Sequence, residues 1–311
     1  MTEHSPRIAV LLPCYNEAAA IAQTIKDFRA APPEAAIYVY DNNSSDATCE
    51  IAAAAGAIVR SERMQGKGNV VRRMFADVDA DIYVMADGDA TYEAAAAPAL
   101  VSKLLDENLD MVVGARKSEV EAAYRRGHRL GNALLTGMLA RIFGRTFTDI
   151  LSGYRVFSRR FVKSFPVLSA GFEIETEISV HALELRMPVA EQVTAYAARP
   201  DGSESKLNTW RDGFRILNTI LLLFRYERPL QFFGAIAATF AIMAIILAIP
   251  LFITFLQTGL VPRFPTAILS TGLMILSALN GMCGLILDTV VRGRLEVRRL
   301  AYLGYPAPSG G

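Results

Sequence analysis

From Leu230 to Leu256 the chain runs without a single charged residue, and at ~1.5 Å per residue such a helix outreaches the ~30 Å hydrocarbon core of a bilayer. No feature of the sequence narrows the fold more. A second uncharged segment, Thr266 to Leu287, follows after the short connection "QTGLVPRFP", so the two read as a transmembrane hairpin. They also account for a mean hydropathy of +0.28 and 52% hydrophobic residues, high for a soluble chain. Arg225 and Arg228 precede the first span and Arg292, Arg294, Arg298 and Arg299 follow the second, while the connection holds only Arg263. Both termini are therefore expected on the cytoplasmic side. The N-terminal run "IAVLLP" is too short for a signal-peptide core.

The rest of the chain has a different rhythm. "RIAVLLP", "AAIYVYD", "AIVR", "DIYVMAD" and "MVVGAR" read as strands, separated by helical "EAAAIAQTIKDFRA", "DATCEIAAAAG" and "GNVVRRMFADV". This alternation predicts an α/β fold with a mostly parallel sheet flanked by helices. Ligands bind such sheets at the carboxyl ends of the strands. Four polar clusters stand there: "CYNE", "DNNSSD", "RMQGKGN" and "DGD".

In the last cluster Asp87 and Asp89 are separated by one glycine. Asp-Gly is a good turn dipeptide, and a solvated turn is one reading. The other is a metal site, because two ionised carboxylates at a low-dielectric strand end repel unless a cation lies between them. Oxygen ligands select Mg²⁺ or Mn²⁺, which fill their remaining positions with water and substrate phosphates. Lys67, between two glycines, suits a phosphate as a point charge. A Walker P-loop is excluded, since "GKGN" lacks both the earlier glycine and the following Ser or Thr. The charge balance, 32 Lys and Arg against 31 Asp and Glu, gives no sign of a nucleic-acid partner. Cys14, Cys49 and Cys283 are scattered and odd in number, which suits a reducing compartment without disulfides.

Taken in order, these segments resemble family 2 glycosyltransferases of the GT-A fold. "PCYNEAAAI" resembles their P-x-x-N-E opening, "YDNNSSDAT" their D-D-x-S-x-D-x-T segment, "GKGN" their G-K-G-x-A loop and "DGD" their D-x-D metal motif. "DILSGYRVFSRRFV", "GFEIETEI" and "RPDGSESKL" resemble segments of the polyprenyl-phosphate branch, so the likeness spans about residues 7 to 210. The two-span tail is similar to that of dolichol- and undecaprenyl-phosphate glycosyltransferases, including dolichol-phosphate mannosyltransferase and undecaprenyl-phosphate glucosyltransferases.

The resemblance implies a cytoplasmic GT-A catalytic domain over 1–206, a juxtamembrane amphipathic helix over 207–228, two transmembrane helices within 229–291 (about 230–256 and 266–288) and a cytoplasmic tail over 292–311. It implies Asp89 as direct metal ligand, with Asp87 on the metal's waters or the ribose. Pro13, Tyr15, Glu17, Asp41 and Asn42 would line the donor nucleoside, Asn42 standing where a second aspartate is usual. Lys67 would meet the donor phosphates. Arg125, Arg126, Arg129, Arg199, Ser205 and Lys206 would hold the acceptor phosphate, with Arg199 and Lys206 also in the catalytic set. A lipid monophosphate needs no general base, because its second pKa of about 6 leaves an anionic oxygen at neutral pH.

The expected reaction is inverting transfer of a sugar from a nucleotide sugar, UDP-sugar favoured, to polyprenyl phosphate at the cytoplasmic membrane face. GDP-mannose-dependent mannosyl transfer is the alternative, followed by a processive polysaccharide synthase or a non-catalytic nucleotide-sugar binder. Homo-oligomerisation stays open. Two stretches are amphipathic: the one from Tyr124 to Arg145 fits either a packed surface helix or a membrane-surface helix, whereas the one from about Leu207 to Tyr226, immediately before a span and with the only tryptophan, is the better membrane-surface candidate. Asp149 is expected to support a turn or an arginine, and His128 and His181 to be surface or core histidines.

Overall fold

A computed structural model describes residues 5–31, 34–117, 137, 147–171, 173–197, 222 and 224–308. The chain divides into two compact units, residues 1–216 with 298–311, and residues 217–297.

In the first unit the predicted alternation forms as expected. Strands β1 (Ile8–Cys14), β2 (Ala36–Asp41), β3 (Ile58–Ser61), β4 (Ile82–Met85) and β5 (Met111–Lys117) occupy the five runs read as strands. Helices α1 (Ile21–Ala30), α2 (Thr48–Ala54) and α3 (Lys67–Asp77) form in the three stretches read as helical, and α4 (Ala97–Asp106), outside that set, connects β4 to β5. Ile21, Ile25 and Phe28 of α1, and Val70, Val71 and Met74 of α3, recur at helical spacing and are buried, which seats these helices on the core. Val10, Leu12, Val39, Ile82 and Val84 supply part of the sheet's share of that core.

Two strands lie outside the predicted set, β6 (Arg155–Ser158) and β7 (Val189–Ala195). Between β6 and β7 come the helices α5 (Arg159–Ser164) and α6 (Ile174–Glu184). The seven strands run in the order β3-β2-β1-β4-β6-β5-β7, and β6 is antiparallel to both of its neighbours. At four residues β6 is too short to alternate visibly, and a buried arginine opens it, so its sequence carries little strand signal. Its direction matters for the site: Arg155 pairs with Met85, so the turn leading into β6 lies at the same sheet end as Asp87 and Asp89.

The second unit contains two long apolar helices, α7 (Pro229–Thr258) and α8 (Phe264–Leu303), the latter continuing into the first unit from Arg298. Both are long and apolar enough to cross a membrane, and only 11% and 6% of their most apolar windows are buried. They cover the two segments read as spans, and α8 continues as helix to Leu303, through the first part of the stretch read as tail. Small residues bring them together: a Cβ at Gly284 would lie 3.2 Å from that of Phe233. Ser270 Oγ donates to the Ala244 carbonyl at 2.9 Å and Ser277 Oγ to that of Ala237 at 2.7 Å. Asn280 donates within its own helix, to Leu276 O at 2.8 Å.

Candidate active site

The loops after β1 and β2 interlock through short polar side chains. Asn16, with φ 53°, accepts the Ser45 N–H at 2.8 Å on Oδ1 while its own N–H donates to Ser44 Oγ at 2.8 Å. Asp46 accepts the Ala18 N–H at 3.1 Å, and the Glu17 N–H donates to Thr48 Oγ1 at 2.9 Å. Asn tolerates the left-handed region and its amide satisfies the loop backbone, so the polar residues of "YNE" and "DNNSSD" build the turn as well as line it. Tyr15 is exposed at 37%, Pro13 is buried on β1 and Glu17 is buried at 9%.

Asn42 serves the next loop. Its Nδ2 donates to Glu62 O (3.0 Å) and Met64 O (2.8 Å), and its Oδ1 accepts the Gly66 N–H at 2.7 Å. An aspartate could accept the last of these but would repel the two carbonyls, so the amide matches this loop's two acceptors and one donor. Asp41, 4% exposed, accepts the Ser44 N–H on Oδ2 at 3.0 Å, while its Oδ1 is buried without a hydrogen-bond partner among the described residues.

The glycines around Lys67 have a steric cause. Gly66 adopts φ 129°, and a Cβ there would lie 2.1 Å from Ala170 O; one at Gly68 would lie 2.0 Å from Ser169 O. The Gly68 N–H donates to Ala170 O at 3.1 Å. That facing segment is itself fixed by Glu177, which accepts the N–H groups of Leu168 (2.8 Å) and Ser169 (2.7 Å). Pressed between these backbones, Lys67 directs its ammonium to Asp87 Oδ1 at 2.5 Å and Glu175 Oε1 at 2.6 Å. Burial by itself would lower the lysine's pKa, but the two carboxylates raise it above the ordinary value, so the ammonium stays charged.

Asp87 and Asp89 follow β4 as the pattern required. Asp89 is 3% exposed and accepts the Thr91 Oγ1–H at 2.6 Å and the Thr91 N–H at 3.3 Å, with Ala90 between them at φ 56°. A non-glycine residue in that region is strained, and the strain coincides with the carboxylate pair. Asp87 lies so near Gly153 that a Cβ there would be 2.8 Å from Oδ2, which explains the glycine of "SGYR". Burial pushes the Cys14 thiol well above its ordinary pKa, and Glu17, Asp41, Asp87 and Asp89 all push it in the same direction. The strand ends thus converge around one cysteine.

Several further residues support this arrangement. Tyr92 Oη accepts the Gly153 N–H at 2.9 Å. Arg155 is fully buried and donates to Ser152 O (2.9 Å), Ser179 Oγ (2.9 Å), Glu175 O (3.1 Å) and Ile150 O. Burial lowers its pKa to about 10, which keeps it charged at neutral pH. It therefore ties the Gly153 turn to the first turn of α6, where Glu175 sits. Asp149 takes both Nε (2.7 Å) and Nη2 (2.8 Å) of Arg116, as an arginine support would. Burial opposes its ionisation, yet Arg116 holds its carboxyl below the usual range. His181 is buried, with Nε2 3.2 Å from Ser164 Oγ. Arg125, Arg126, Arg129, Arg199, Ser205, Lys206 and His128, the stretch from Tyr124 to Arg145 apart from Gly137, and nearly all of the one from Leu207 to Tyr226 lie outside the described residues.

Among the described residues no group of three or more His, Cys, Asp or Glu forms a complete metal cage. Asp87 and Asp89 supply hard oxygen ligands after β4. That set fits Mg²⁺ or Mn²⁺ whose remaining positions come from water and phosphates.

Sheet, strand-end carboxylates and glycine-flanked lysine define a GT-A glycosyltransferase fold. Residues 9–165 match the family described as glycosyl transferase family 2. The chain belongs to that family. It is 37% identical over 250 residues to glycosyltransferase AglJ of Haloferax volcanii, covering 80% of this chain and 81% of the relative. The dolichyl-phosphate hexose transferase of the same organism is 27% identical over 229 residues, covering 73% of this chain and 99% of that protein. Among solved structures, glucosyl-3-phosphoglycerate synthase of Mycobacterium tuberculosis in complex with Mn²⁺ and UDP-glucose aligns with a TM-score of 0.55 at 25% identity. That alignment covers 70% of this chain and 78% of that one.

Proposed function

We propose that this chain transfers a hexose from a nucleotide sugar, a UDP-sugar foremost, to polyprenyl phosphate at the cytoplasmic membrane face. The observation that carries this reading is the coexistence, in one family 2 chain, of the carboxylate and lysine mouth with two helices fit to span a bilayer. The dolichyl-phosphate hexose transferase supports the lipid acceptor, and the synthase complex with Mn²⁺ and UDP-glucose supports the donor and the metal.

In this reading a lipid phosphate oxygen attacks the anomeric carbon as the bond to the nucleoside diphosphate breaks, and the configuration inverts. The leaving diphosphate departs with the bonding electron pair. Asp41, Glu17, Tyr15 and Pro13 border the nucleoside, and Lys67 neutralises phosphate charge. Asp87 and Asp89 would hold Mg²⁺ or Mn²⁺, which supplies charge neutralisation for the leaving group. Arg125, Arg126, Arg129, Arg199, Ser205 and Lys206 position the acceptor phosphate, which attacks without a general base. The arginine asymmetry about the two apolar helices sets both termini and the catalytic unit on the cytoplasmic side. The test incubates the purified protein and polyprenyl phosphate with a panel of labelled nucleotide sugars and Mn²⁺. One donor is expected to deliver label into organic solvent as a single lipid-linked sugar. Label that stays aqueous with every donor, or that grows into polymer, overturns the proposal.

A further inference from the structure

Two tyrosines join the segment after Asp89 to the turn that enters β6, each reaching across to the other's backbone. Tyr92 accepts the buried Gly153 N–H on its hydroxyl oxygen at 2.9 Å. Tyr154, next to that glycine, donates its hydroxyl to the Glu93 carbonyl at 3.2 Å. The two ring centroids are 5.4 Å apart. Packing by itself calls for neither hydroxyl, because the Tyr92 ring also meets Tyr196 at 5.3 Å and the Tyr154 ring meets Phe28 at 6.1 Å. The backbone about Tyr92 is held separately. Thr91 O accepts the Ala197 N–H at 2.9 Å, and Glu93 Oε2 accepts that of Ala195 at 3.1 Å. The hydroxyl of Tyr92 therefore acts on the Gly153 turn. That turn is tied to β5 on its far side, where Ser152 Oγ donates to Gly114 O at 2.6 Å, and Asp87 rests on it so closely that a Gly153 Cβ would lie 2.8 Å from Oδ2.

Resting on the functional reading above, which gives Asp87 and Asp89 to a divalent cation, we infer that Tyr92 and Tyr154 are positioning residues. By locking the Gly153 turn to the segment after Asp89, they fix the floor on which the Asp87 carboxylate lies, and with it the placement of Asp87 relative to Asp89. Without the Tyr92 hydroxyl, the Gly153 N–H becomes a buried donor whose partner is gone, in the residue that touches Asp87 Oδ2. An unmet buried donor is costly, so the turn shifts or finds another acceptor. Either movement takes the carboxylate away from the position in which it shares a cation with Asp89. A merely structural pair of tyrosines would cost stability and leave cation binding as it was.

The experiment is Mn²⁺ binding to the full chain in detergent micelles at saturating UDP, followed by electron paramagnetic resonance, beside a metal-free thermal melt of each variant. GDP replaces UDP if the wild type binds only GDP. Tyr92→Phe keeps the ring and should weaken Mn²⁺ binding by about tenfold. Tyr154→Phe removes a donor from a carbonyl, a smaller loss than an unmet N–H, and should weaken it by about threefold. Tyr302→Phe removes a tyrosine hydroxyl from Asp110, at the other end of the sheet, and should bind Mn²⁺ as the wild type does. Tyr92→Phe that binds Mn²⁺ as tightly as the wild type overturns the inference, whatever its melting temperature. So does an equal loss in Tyr302→Phe, or a wild type that takes up no Mn²⁺ with either nucleotide. Should Tyr92→Phe fail to fold, Tyr154→Phe decides, and unchanged Mn²⁺ binding there overturns it. No arm uses the lipid acceptor, so a failure of sugar transfer to polyprenyl phosphate sinks the functional reading and leaves these outcomes legible.

Discussion

The two ends of the sheet each bury a carboxylate, and they treat it in opposite ways. At the end remote from the site, Asp110 has no exposed side-chain surface and is fully satisfied. It accepts from Ser158 Oγ at 2.6 Å, from Arg160 through Nε and through Nη2 at 2.8 Å, and from Tyr302 Oη at 2.8 Å. The Arg160 guanidinium also lies over the Tyr302 ring, 4.8 Å from its centroid. Nearby on the chain, Arg298 pairs with Glu184 at 2.5 Å. At the site end, Asp87 and Glu175 share the Lys67 ammonium, a buried Asp41 oxygen has no hydrogen-bond partner among the described residues and Ala90 holds a strained φ. One end is arranged for stability. The other keeps polar capacity unspent, which is what a binding site needs and what a core avoids.

That contrast can be broken most forcefully at Asp89. Asp89→Asn keeps the shape and the Thr91 contacts while removing a metal-binding charge, so transfer should fall by about 10²–10³-fold with little change in melting temperature. Transfer of labelled sugar to lipid phosphate, measured beside a thermal melt, checks both halves. At the other end the outcome should invert. Asp110→Ala strands a half-buried Arg160 and should cost about 3–5 kcal/mol in stability, with activity per folded molecule retained. Tyr302→Phe, which loses one hydrogen bond, should cost only about 1 kcal/mol, read from the same denaturation curves.

Asn42 sharpens the comparison from within the site. Asn42→Asp would set a carboxylate against the carbonyls of Glu62 and Met64, so it should loosen the Lys67 loop and raise the donor KM several-fold, roughly the effect of about 1–2 kcal/mol. An unchanged KM would show that the amide is not what holds the loop.

A further effect is one of pH, absent at neutral pH, and belongs to the stable part of the fold. Burial, aided by Arg298, pushes the His181 pKa down to about 3, so the native ring stays neutral while the unfolded ring protonates below its ordinary 6.5. Between those values the unfolded state binds the extra proton, so this contribution is complete above pH 6.5 and lost progressively as pH falls towards 3. The slope approaches about 1.4 kcal/mol per pH unit. His181→Phe should flatten it in urea titrations of stability across that window.

Much of this contrast was legible in the chain itself. The five leading strands were plain because each is an apolar run bounded by turn residues, and the site's position followed because polar clusters ended four of them. β6 and β7 escaped notice, the first for its brevity and buried arginine, the second because only Thr194 of its residues is fully buried, which leaves weak alternation. Asp87, Asp89 and Lys67 announced themselves by local pattern. Glu175 and Tyr92 did not, since each acts on a residue far away in sequence, and Arg155 stood in the quoted "SGYR" segment without a sign of its burial.

By itself the sequence determined a strand-and-helix domain, a cluster of acids at its strand ends and two long apolar segments without charge, because periodicity, turn chemistry and hydropathy are local properties. Tertiary structure alone decided that Lys67 would lie between Asp87 and Glu175, that Asn42 would be spent on a loop, and that Tyr302 would reach Asp110 across 192 positions of chain. Those are pairings of charge and hydrogen bond across the fold, and no window of neighbouring residues contains both partners.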